Sequence, residues 1–104
     1  MNRLLPPILA VVLSASTVAA RADVPPLITD CLSGSLVQEV LAQGRVKRLA
    51  EIRRGLDGEI VRADLCRTGG GLVYRVTLLD DVGRVRRLLI DASSGRLVYD
   101  GVGN

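Results

Sequence analysis

The chain has 104 residues, 14 Lys and Arg against 11 Asp and Glu, two tyrosines and no His, Trp or Phe, so one domain is all it can hold. Without histidine it lacks the commonest general base and the commonest metal ligand. With so few aromatics and so small a charge excess it also lacks the stacking surface and basic footprint of a nucleic-acid binder.

The N-terminus reads as a secretory signal over residues 1–22. Met1, Asn2 and Arg3 form a short basic start, residues 4–13 are apolar apart from Pro6 and Pro7, and residues 14–22 are rich in small side chains. Two small-x-small sites compete for cleavage: Val18-Ala19-Ala20 would cut before Arg21, and Ala20-Arg21-Ala22, the preferred site, before Asp23. An uncleaved anchor would need about 18 to 20 continuous apolar residues, which the prolines, serines and threonine interrupt, so no membrane span is expected after cleavage. Losing Arg3 and Arg21 leaves 12 basic against 11 acidic side chains, a net charge of +1. The expected location is periplasmic or secreted.

A mature domain of about 80 residues is near the lower limit for a self-sufficient core, and its two cysteines, Cys31 and Cys66, allow a single internal pairing. In an oxidising compartment that predicts a disulfide. Two cysteines without histidine do not complete an ordinary zinc site, their separation is not that of a CxxC redox pair, and Cys31 lies too far beyond the apolar run to be a lipid-modified N-terminal cysteine.

Residues 23–34, with Pro25-Pro26, read as an extended lead-in tied down at Cys31. From Ser35, Leu36, Val37, Val40 and Leu41 gather on one helical face, with Ser33 or Ser35 as cap and Gly44 as stop. A second short helix is expected over residues 47–54, anchored by Leu49 and Ile52. Its charges, Lys47, Arg48, Glu51, Arg53 and Arg54, read as a solvated face because Glu51 sits among the bases. Gly55 and Asp57-Gly58 then break the chain.

After Gly58 the period falls to two. In residues 59–66, Val61, Ala63 and Leu65 are expected inward and Arg62 and Asp64 outward. Cys66 shares the polar parity, so either the disulfide crosses the outer sheet face or the strand ends or bulges before it. The glycines at 69–71 make a loop. In residues 72–79, Leu72, Tyr74, Val76 and Leu78 point inward and Val73, Arg75 and Thr77 outward. Asp80-Asp81-Val82-Gly83 is a hairpin turn, residues 84–91 a third strand of undecided facing, and residues 91–95 a second turn in which the Asp91 carboxylate accepts backbone N–H groups. Residues 96–99 return as a short last strand, and residues 101–104 form a tail. The fold class is therefore α+β: one or two short N-terminal helices on one face of a three- to four-stranded antiparallel meander, with Tyr74 and Tyr99 adding bulk to an aliphatic core.

These residues carry a resemblance. Residues 44–52 (GRVKRLAEI), Gly58-Glu59-Ile60-Val61, Val73-Tyr74-Arg75-Val76, Leu78-Leu79-Asp80, Gly83-Arg84-Val85 and, above all, residues 89–97 (LIDASSGRL) resemble the PepSY-type domain of small exported proteobacterial proteins. The resemblance spans residues 35–100. Ser94 stands where the family has threonine, Arg48 where many relatives have proline, and the cysteine pair is outside the general pattern. The resemblance implies a regulatory or inhibitory module without catalytic residues or cofactor, whose partner is a peptidase or another envelope protein. The candidate partner-binding face is the outer sheet face, with Arg62, Val73, Arg75 and Thr77 and an arginine of the third strand. Two alternatives stand beside it: a structural or stress-related envelope protein without a dedicated target, and a small hydrolase, for which the sequence offers no nucleophile and base. Asp80, Asp81 and Asp91 read as turn residues rather than metal ligands.

Overall fold

The computed structural model describes residues 24–102; the signal peptide and its two cleavage sites lie outside the described residues. Strand β1 (Ile28–Cys31) is followed by helices α1 (Gly34–Ala42) and α2 (Leu49–Arg53). Strands β2 (Glu59–Thr68), β3 (Gly71–Leu79), β4 (Val85–Asp91) and β5 (Leu97–Val102) complete the chain. All five strands form one antiparallel sheet in the order β1-β2-β3-β4-β5. The α+β class holds, but the sheet has five strands rather than three or four. The extra one comes from the lead-in, where Cys31 pairs directly with Cys66 and Asp30 with Arg67. No helix among the described residues is long and apolar enough to cross a membrane.

Helix α1 has the ends its sequence foretells. Ser33 is the cap, its hydroxyl accepting from the Leu36 N–H. At the other end Gly44 takes φ of 71°, and the N–H groups of Gly44 and Arg45 reach back to the carbonyls of Leu41 and Val40. That double closure satisfies carbonyls the helix leaves open, and its left-handed residue is why glycine stands there. Val40 of α1 and Ile52 of α2 then pack on Leu65, Tyr74, Val76, Leu78, Leu88, Ile90 and Ala92, the main core between helices and sheet. The Tyr74 hydroxyl donates to the Lys47 carbonyl at 2.7 Å, and the Lys47 N–H donates to the Ala92 carbonyl. The helix–helix connection is thus hydrogen-bonded to the sheet on both sides of one residue.

The inward set of β3 is as expected, but two irregularities shift its neighbours. In β2 the pairing passes from Ile60–Leu78 to Arg62–Thr77, leaving Val61 as an extra residue. Such a bulge resets the alternation, so Ile60 replaces Val61 against the core and Val61 is exposed. In β5 a second register shift falls between the Leu89–Tyr99 and Ile90–Leu97 pairs. Tyr99 consequently lies opposite Leu89 and packs on the outer side of the sheet, not in the main core. Strand β4 is covered on both sides, Leu88 and Ile90 facing the helices and Leu89 the outer cluster. The end of β5 also runs further than expected: Gly101 and Val102, assigned to a tail, pair with Arg87 and Arg86.

The two hairpin turns close on aspartates. Asp80 Oδ1 accepts from the N–H groups of Val82 (3.1 Å) and Arg84 (2.8 Å). Asp91 Oδ1 accepts from the Ser93 hydroxyl (2.8 Å) and from the Ser93 and Ser94 N–H groups (both 3.0 Å). The turns lie at opposite ends of β4. The Ser93 hydroxyl and Ser94 N–H hold the Asp91 carboxyl below the ordinary carboxylate range, and the Arg84 N–H does the same for Asp80. A depressed folded-state pKa means stabilisation that is fully present above the unfolded value of about 3.9 and lost as pH falls through the folded one. Melting temperature should therefore be level at neutral pH and fall below about pH 4. Asp91→Asn should make that acid-side fall shallower, as thermal unfolding across a pH series will show.

Candidate protein-binding face

On the side of the sheet away from the helices, the antiparallel register sets side chains in rows. One row is Arg62 of β2, Thr77 of β3 and Arg87 of β4; the next is Asp64, Arg75, Leu89 and Tyr99. Beyond it Cys66 and Val73 are paired, and with Leu89, Ile28, Cys31 and Tyr99 they form a second apolar cluster. The Cys31–Cys66 disulfide is part of that cluster. It crosses the outer face, which decides the alternative left open by the parity of Cys66. The Leu32 N–H donates to the Leu65 carbonyl. The adjacent cysteine pair therefore occupies a position without ladder hydrogen bonds, where opposed side chains lie closest.

Arg62, Arg75, Thr77 and Arg87 line a shallow groove of about 520 Å³. Pro25, Pro26, Leu27 and Ile28 border it on the β1 side, and Leu89 and Tyr99 on the β5 side. Gly101 makes room for that second border, since a Cβ there would come within 2.8 Å of the Tyr99 hydroxyl oxygen. Asp64 is the groove's one acid. Its Oδ2 accepts from Arg75 and Arg62, each at 3.2 Å. The Arg75 hydrogen bond in particular holds its carboxyl below the usual range. Arg87 makes no ion pair among the described residues. The groove therefore carries three guanidinium groups and one carboxylate, a net charge of +2.

Three of the four expected face residues are brought together, Arg62, Arg75 and Thr77. Val73 has the outward orientation but is only 5% exposed under the second cluster, so it supports the face without being available for contact. The arginine of the third strand is Arg87, opposite Thr77. Counting back from a hairpin centred on Val82 would have identified it. The proline border and Tyr99 had no such signal, because both depend on register shifts in the edge strands. No group of three or more His, Cys, Asp or Glu among the described residues is placed to hold a metal ion.

No family model matches the sequence, and neither a curated protein nor a solved structure matches it.

Proposed function

We propose that the chain is a non-catalytic, exported interaction module of PepSY type that binds a peptidase or another envelope protein through its outer sheet face and modulates it. The observation that carries this reading is the groove: three arginines on three adjacent strands, fixed by the sheet register, with apolar borders on both sides. Guanidinium forks on a rigid sheet donate paired hydrogen bonds to carboxylates and carbonyls without much loss of side-chain freedom. The same geometry is poorly suited to general-base catalysis. The groove's acid, Asp64, is shared by two arginines that favour its ionised form, and a carboxylate so stabilised is a weak proton acceptor. The disulfide supports the exported location, since such bonds persist in oxidising compartments.

Affinity capture from envelope extract with the oxidised protein tests the reading. A discrete, stoichiometric partner is expected with the wild type and with Arg54→Gln, which changes charge on the helical side. The R62E/R75E/R87E variant should lose it. If that variant keeps the partner, the outer face is not the binding surface. If no partner is found with any version, the alternative of an envelope protein without a dedicated target takes precedence.

A further inference from the structure

We infer that the segment bound in the groove is an extended acidic stretch of polypeptide, with two carboxylate side chains flanked on either side by apolar ones. This inference rests on the outer face being the protein-binding surface and adds what that surface selects.

The order of side chains along β3 and its neighbours carries the argument. Leu79 and Val85, paired across the hairpin and both exposed, make an apolar row at the turn end. Next come the rows containing Arg62, Thr77 and Arg87 and then Arg75 and Asp64. Beyond these lie Leu89, Tyr99 and Ile28, the accessible side of the second apolar cluster. Same-face positions on a strand recur about every 6.8 Å, the spacing of alternate residues in an extended peptide. A segment lying along the strands thus meets apolar, cationic, cationic and apolar rows at successive alternate positions. Charge sets the sign, since Asp64 offsets one of the three arginines and Arg87 has no carboxylate among the described residues. An anionic bilayer would need the reverse order, apolar side chains projecting furthest with cations around them at headgroup level; here the cations lie between two apolar bands.

Fluorescence anisotropy with the oxidised full chain and labelled peptides tests this. The acidic probe has leucine, glutamate, glutamate and leucine at alternate positions with serine between; its counterpart has glutamine for glutamate. Saturable binding of the acidic probe is expected, weakened about fivefold by Arg87→Gln and by high salt but not by Arg54→Gln. The glutamine probe should bind at least about fivefold more weakly than the acidic one. Equal binding of the two probes overturns the acidic specificity while leaving a protein-binding outer face intact. Binding of neither probe, or binding instead to phosphatidylglycerol vesicles, also overturns it. Failure of the wider reading has its own signature, retention of the captured partner by R62E/R75E/R87E.

Discussion

Replacing Cys31 and Cys66 together by alanine is expected to lower the free energy of unfolding by about 3 to 4 kcal/mol, a large part of what so small a domain has. The bridge closes a loop with a sequence separation of 35, and loop closure of that length restricts the unfolded chain by about this amount. Its position adds a local effect. β1 has four residues and borders only β2, so without the bridge the edge depends on a few ladder bonds and the Asp30–Arg67 ion pair. Such exposed pairs contribute little. The loss should therefore appear as a lower urea midpoint together with early exchange of the β1 amides. Intact mass before and after reduction, differing by two hydrogens, establishes the starting state. A double variant as stable as the oxidised wild type would mean that the outer cluster holds β1 without the bond.

Gly58→Ala should be nearly as damaging, at about 3 kcal/mol. Gly58 has φ of 145°, a conformation that side-chain-bearing residues rarely adopt. A Cβ there would stand 2.5 Å from the Leu79 carbonyl oxygen and 3.1 Å from Leu78 Cγ. The first of these neighbours is backbone at the end of β3 and the second belongs to a core residue, so neither can move aside without opening the β2–β3 ladder. Chemical denaturation of the purified variant measures the loss. A change under about 1 kcal/mol would show that the α2–β2 connection can be rebuilt without disturbing the sheet.

What could be read from the sequence was whatever depends on local chemistry. Ser33 and Gly44 marked the ends of α1 because capping and left-handed backbone are properties of single residues. The Leu72, Tyr74, Val76, Leu78 alternation identified β3, and Asp91 its turn, on the same grounds. What could not be read depends on which neighbour a strand meets. Ile28-Thr29-Asp30-Cys31 has no alternation of its own and becomes a strand because β2 extends past Cys66 to Thr68 and offers it an edge. The Val61 and β5 irregularities are invisible without a partner strand to count against, and they moved Ile60 into the core and Tyr99 out of it. The run Leu88-Leu89-Ile90 looked undecided because both faces of β4 are in fact covered. For the candidate face, Arg62, Arg75 and Thr77 followed from parity alone, whereas the burial of Val73 and the arrival of the proline border did not.

The most direct test of the account places a photo-activatable cross-linking residue at Thr77, in the middle of the outer face, or at Ala50, exposed on α2 behind the helical layer. The oxidised protein is then irradiated in the cell envelope. The account predicts one discrete, higher-mass adduct from the Thr77 position and none from Ala50. An adduct from Ala50 alone, or equal adducts from both, would contradict it by placing the partner away from the arginine groove.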